Sequence, residues 1–214
     1  MGLRAADAAL RANKDFVISC LRADGLSLRH ASADLRADQD VVRVALEQDS
    51  RALRFADERI RAARGVVGEA VRRDAGALEY ACLALRRDRE LVLEAVRRDG
   101  AALRHAGKDL RGDREVVLAA IAECGLALEH ARSALRDDRE VVLEAVRRHG
   151  GALHFASAEL RRDPEVCCLA CRGEPTALEA VDGDDPKLCR AAQLAVLQGA
   201  AERLRAQWVE ERAR

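Results

Sequence analysis

Asp138-Arg-Glu-Val-Val-Leu-Glu-Ala-Val-Arg-Arg-His-Gly-Gly-Ala-Leu-His-Phe-Ala-Ser-Ala-Glu-Leu-Arg-Arg162 is a stretch of 25 residues that the chain repeats. Asn13, Asp38, Ala63, Asp88, Asp113, Asp138 and Asp163 stand 25 residues apart, so six complete units fill 13–162 and their positions can be numbered 1 to 25. A fixed period of this length marks a repeat architecture and outranks any local reading of the segment.

Each unit opens as a helix opens. The first carboxylate is placed to accept orphan backbone N–H groups, and the acidic residue two positions on, as in Asp88 with Glu90 or Asp138 with Glu140, favours the positive end of the helix dipole. Pro164 and Pro186 fit the first helical position. Apolar residues at positions 4, 5, 8 and 9, for instance Val116, Val117, Ala120 and Ile121, form one helical stripe. Gly25, Gly100, Gly125 and Gly150 at position 13 are expected to end this helix in the left-handed conformation. Ala102, Leu103, Ala106 and Leu110, with spacings of one, three and four, predict a second short helix, part of which a 3₁₀ turn can replace. Helices this short are marginal alone, so neighbouring units must stack.

The expected fold is therefore all-α: an α-solenoid of about seven two-helix repeats of 25 residues. Residues 1–12 read as an N-terminal half repeat, 13–162 as six complete repeats, 163–184 as a degenerate seventh, and 185–214 as a longer C-terminal capping helix carrying Leu188, Ala192, Ala195, Leu204 and Trp208. Gly199 is a candidate kink in that helix. The half repeat leaves an edge for a partner, for a further repeat or for fraying. Unit three lacks the capping carboxylate (Ala63) and carries Gly65 and Gly68, which predicts a soft joint near 63–74.

Composition agrees. Of 214 residues, 49% are apolar but only 2% aromatic, so aliphatic side chains and Ala must fill thin, closely packed layers. Thirty-seven basic residues balance 37 acidic ones, which argues against a strongly basic nucleic-acid or membrane-surface binder. No stretch approaches the roughly 18 to 20 apolar residues of a membrane-spanning helix, and no signal-peptide run opens the chain. A soluble, intracellular protein with reduced thiols is expected, its compartment unassigned; the seven cysteines are odd in number and irregularly spaced.

The 138–162 pattern resembles the tandem helical repeats catalogued only as a domain of unknown function in algae and bacteria, and the resemblance covers about 13–172. It implies the repeat fold and brings no activity, cofactor or catalytic residue with it. A weaker similarity is to variant leucine-rich repeats, whose units also pair short helical elements, sometimes beside an iron–sulfur module.

Position 24 is Arg in every complete unit: Arg36, Arg61, Arg86, Arg111, Arg136 and Arg161. Such a ladder is expected to pair with the acidic start of the following unit, or alternatively to read phosphates, with Arg111 and Arg136 central. Position 18 is a ring in every unit (His30, Phe55, Tyr80, His105, His130, Phe155), and the interchange of His with Phe and Tyr reads as one packing slot rather than a metal row. Glu69, Glu94 and Glu144 stand four residues before Arg73, Arg98 and Arg148, as helix-stabilising pairs would.

Cys167, Cys168, Cys171 and Cys189 cluster near the end, where stacked units could assemble a zinc or iron–sulfur ligand set, yet Cys167 and Cys171 occupy the core slots of Val142 and Val146. The run Asp182–Asp185 reads as a turn and cap rather than a calcium loop, because the twelfth place holds Gln193. Catalytic signatures are absent. The expectation is a non-enzymatic scaffold, without a cofactor, for protein–protein interaction or for spacing within an assembly. Trp208 is a candidate contact, and self-association through the terminal repeats is a further expectation. The alternatives are a metal-carrying module at the cysteines and nucleic-acid binding along the Arg ladder.

Overall fold

The carboxylate that opens each repeat is the point from which its structure is built. In the computed structural model, which describes residues 3–182 and 186–213 except the side chains of Ala206 and of 208–213, Asp38, Asp88, Asp113, Asp138 and Asp163 each accept from the backbone N–H groups two and three residues on. The helices opened in this way are Gln39–Gln48, Arg89–Val96, Arg114–Glu123, Arg139–Arg148 and Pro164–Gly173. Asn13 caps Lys14–Leu21 through Phe16 alone, and Ala63 leaves Arg64–Arg73 with no side-chain cap.

These helices end through position 12, not through a left-handed glycine. Asp24, Asp49, Asp74, Cys124, His149 and Glu174 are extended, with φ between −142° and −153°, and each hands the chain to a 3₁₀ segment of six residues. Asp24, Asp49, Asp74 and Asp99 cap that segment by accepting from the N–H two residues on. Position 13 has another task. A Cβ on Gly25, Gly100, Gly125 or Gly150 would lie 2.3, 2.2, 2.6 or 2.4 Å from the carbonyl oxygen of Ala45, Ala120, Ala145 or Ala170 in the next repeat. None of the four has a φ in the left-handed range, so the glycines are there for close approach between repeats.

The second half of the unit is mostly not α-helix. Gly125–His130 and its counterparts are 3₁₀, and the next element is a four-residue turn of α-helix, as in Ser133–Arg136, or a three-residue 3₁₀ turn, as in Leu160–Arg162. Tight winding brings Ala127 and Leu128 into the core within a short span; both are essentially inaccessible.

A main-chain bond then ties each repeat to the next. The N–H at position 20 (Ser32, Asp57, Cys82, Gly107, Arg132, Ser157, Asp182) donates to the carbonyl of the position-24 arginine of the preceding repeat at 2.7–3.0 Å, beginning with Arg11, one period before Arg36. The core follows the expected stripe: Val116, Val117, Ala120, Ile121, Val141, Val142 and Ala145 are fully buried, as is leucine at position 16 from Leu28 to Leu153. In the first repeat Phe16 and Cys20 are only half buried.

The fold is all-α and of the solenoid class, with no strand among the described residues. It packs as two compact units, residues 1–98 with 105–107, and residues 99–104 with 108–214. In the second, the helix Pro186–Ala213 lies along Pro164–Gly173 with Leu188, Ala192 and Ala195 buried. It runs as one helix through Gly199. That glycine admits the Arg172 carbonyl, which would meet a Cβ at 2.0 Å, and so serves contact rather than a kink.

Candidate functional site

The opening carboxylates pair sideways, with position 2 of the preceding repeat. Lys14 reaches Asp38 at 2.7 Å, Arg64 reaches Asp88 and Glu90 at 2.8 Å each, and Arg114 reaches Asp138 and Glu140 at 3.3 and 2.5 Å. Arg139 bridges Asp163 and Glu165 in the same manner. The capping carboxyls of Asp38, Asp88 and Asp163 are held below the ordinary carboxylate value although burial opposes it, because a neighbouring Lys or Arg and two backbone N–H groups favour the charged form. Of the expected four-residue helix pairs, Glu144–Arg148 forms at 3.2 Å. Glu69 and Glu94 instead bind Arg43 and Arg72 of the preceding repeat, at 3.2 and 3.5 Å. All these pairs are at least partly exposed and individually weak, so they set register more than stability.

The position-24 arginines therefore do not neutralise the acidic starts, which corrects the pairing expected from the sequence. They lie in the last turn of their repeat, and two of them reach positions 18 and 20 of the next one. Arg86 Nε donates to the main-chain carbonyl of His105 at 2.6 Å. Arg161 forks onto the carboxylate of Asp182, with Nε at 2.9 Å and Nη2 at 2.5 Å. For Arg11, Arg36, Arg61, Arg111 and Arg136 the Nε is buried with no hydrogen-bond partner.

The position-18 rings stand beside this row. All six are half buried, and burial lowers the pKa of His30 and His130 below the ordinary imidazole value, so neither is held as a cation. Arg54 lies over the ring of Phe55, 5.0 Å from its centre. Arginines and rings together frame pockets that recur with the period. In the second unit a pocket of about 270 Å³ lies among Arg111, His130, Arg132, Ser133 and Arg136, and one of about 250 Å³ among Ser133, Arg136, Phe155, Ser157 and Arg161. In the first unit the same positions, Arg11, His30 and Ser32, line a pocket of about 440 Å³.

The C-terminal cysteines are not gathered as ligands. Cys167 and Cys171 are buried in the core slots, and Cys167 Sγ donates to the Arg161 carbonyl at 3.1 Å. Burial pushes these thiols up to about 12 and about 11, so both are neutral at physiological pH. Cys168 lines a separate groove with Leu169, Arg172 and Leu194, and Cys189 is half buried on the last helix. Among the described residues no group of three or more His, Cys, Asp or Glu is placed to hold a metal ion. The geometric expectation fails because Cys167 and Cys171, four residues apart, share a buried helix face that Cys168 does not. The Trp208 side chain and the Gly183–Asp185 part of the acidic run lie outside the described residues.

Two positions escaped the sequence reading. The position-12 aspartates were legible as a column (Asp24, Asp49, Asp74, Asp99), and Arg11 as the position-24 residue of the half repeat. Among the described residues no helix is long and apolar enough to cross a membrane.

Together these features define a tandem helical-repeat protein in which each complete repeat carries one arginine at position 24 and one ring at position 18. The family model described as a domain of unknown function (DUF4116) matches residues 13–61, 64–111, 88–136, 113–161 and 138–184. The chain belongs to this family. No curated protein and no solved structure matches it.

Proposed function

We propose that the protein is a non-enzymatic repeat scaffold that binds another protein. The observation that carries this reading is the division of labour within the repeat. Apolar positions are consumed in stacking one unit on the next, while positions 18 and 24 present the same two side-chain types on an accessible edge of each unit. Extended, graded surface is what such stacks offer a partner. Self-association is a narrower form of the same reading, supported by Leu194, Leu197 and Leu204 on the last helix, which are 51%, 66% and 66% exposed.

The test is affinity capture with the tagged chain, with and without nuclease, followed by reconstitution of the complex from purified components. A protein retained after nuclease and rebinding at fixed stoichiometry supports the scaffold. Recovery of nucleic acid alone, or of partners that nuclease removes, overturns it. Concentration-dependent mass by light scattering reads self-association directly.

A further inference from the structure

Arg11, Arg36, Arg61, Arg111 and Arg136, the position-24 arginines apart from Arg86 and Arg161, combine three properties. They are held in register, because the carbonyl of each accepts the position-20 N–H of the next repeat. They keep full charge at any physiological pH. They are also under-satisfied: Arg111 and Arg136 bury Nε without a partner, while their terminal nitrogens are not among the buried, unpaired atoms. The position-2 cations Lys14, Arg64, Arg114 and Arg139, by contrast, are each bound by carboxylates.

The chain itself shows which group suits such an arginine. At the last step of the row Asp182, a position-20 residue, places its carboxylate on Arg161. At the preceding steps of this unit position 20 is Arg132 and Ser157, and neither supplies a carboxylate. The pockets beside Arg111 and Arg136 are of side-chain size, about 270 and 250 Å³, and Phe155 gives one of them a wall with no polar atom. That environment accepts the aliphatic stem and charged end of an acidic side chain.

We infer that Arg111 and Arg136 form a two-step binding site for an extended acidic peptide that places one carboxylate on each arginine. The inference rests on the scaffold reading and names the chemistry of the partner. Stacked helices repeat at about 8–10 Å. A polyproline-II segment advances about 3.1 Å per residue with three residues per turn, so carboxylates three residues apart share a face at about 9 Å. The favoured motif is therefore Glu-x-x-Glu in a polyproline-II conformation. A nucleic acid fits less well. Lys108 and Arg132 also line the pocket at Arg111, but Asp109, Glu129, Asp137 and Glu159 interleave with these cations along the sequence, and the chain has no net charge.

The test uses the full chain and labelled peptides read by fluorescence anisotropy: Glu-Pro-Pro repeated four times, its Gln-Pro-Pro counterpart, and a peptide with Glu at every second position. Oligouridine of similar length is the nucleic-acid probe. The Glu-Pro-Pro peptide is expected to bind at least about tenfold more tightly than the Gln peptide, and Arg111→Gln with Arg136→Gln to lower its affinity by at least about tenfold. Arg139→Gln, which breaks an exposed ion pair, is expected to leave it unchanged. Arg136→Lys keeps the charge but loses the fork, and falls in between. Circular dichroism verifies that each variant is folded.

Equal binding of the Glu and Gln peptides, binding unaffected by the double variant, or tighter and steeply salt-dependent binding of oligouridine overturns the inference. If the double variant still binds a reconstituted protein partner at full affinity, the arginine row is not the site and the scaffold reading stands. If neither peptide nor protein binds, both fail.

Discussion

Replacing Gly100 with Ala separates two reasons for a glycine at position 13. If glycine served only to end the preceding helix, its φ would be left-handed; it is not, so Ala fits the backbone without strain. On that ground alone Gly100→Ala should stabilise the fold by about 0.4–1 kcal/mol, by restricting the unfolded chain. The structure predicts the opposite sign. The new methyl carbon would stand 2.2 Å from the Ala120 carbonyl oxygen, 2.9 Å from Cys124 Cβ and 3.0 Å from Cys124 N. Main-chain atoms of a packed helix cannot rotate aside, so adjoining repeats must separate by close to an ångström. Overpacking of this kind costs about 1–3 kcal/mol, and offsetting it with the unfolded-state gain leaves a net loss of about 1–2 kcal/mol.

The steps at Ser50 and Ala75 already carry a Cβ at this position, so the stack can yield and the variant should still fold. Gly65 is the control: nothing lies within 4 Å of its would-be Cβ, and Gly65→Ala on the exposed side of the helix Arg64–Arg73 should stabilise by about 0.5–1 kcal/mol. Urea denaturation followed by far-ultraviolet circular dichroism reads both, with each transition fitted separately if the two compact units unfold apart. A Gly100→Ala protein as stable as the parent, or more so, would refute the close-approach argument.

Leu128 is fully buried and Leu178, at the same position of the last repeat, only half so; Leu128→Ala should cost about 2–5 kcal/mol in urea denaturation and Leu178→Ala clearly less. Burial raises the Cys167 thiol to about 12 against an ordinary value of 9.0. Its contribution to stability is therefore intact below pH 9.0 and lost as pH rises toward 12, a decline that Cys167→Val should flatten in alkaline denaturation curves. A thiol reagent at neutral pH should leave Cys167 and Cys171 unmodified until the protein unfolds. Ala63→Asp should restore the missing cap, adding about 1 kcal/mol. Amide exchange across 64–74, expected to be faster in the parent than across 114–123, should slow in this variant.

Much of the architecture is legible before any coordinate is known. Asp138 followed by Glu140, with Val141, Val142, Ala145 and Val146 behind it, announces a capped helix and its buried stripe, because capping and helical period are local and the repetition multiplies the signal. The candidate site is less legible. The Arg36-to-Arg161 column is visible as a column, but its partners are not. Sequence proximity favours the acid two residues ahead, whereas the side chain is aimed at the neighbouring repeat.

By itself, then, the sequence determined the period, the helix starts, the inward-facing positions and the class of fold, all of which depend on interactions within about one turn of chain. The tertiary structure alone decided that the second segment winds as 3₁₀, that Gly100 makes room for the Ala120 carbonyl, and that Cys167, Cys168 and Cys171 do not converge. It also decided that Arg111 and Arg136 bury Nε without a partner and line a pocket together. The glycine and arginine outcomes depend on distances of a few ångströms between residues some 20 positions apart, and these exist only once one repeat has been packed on the next.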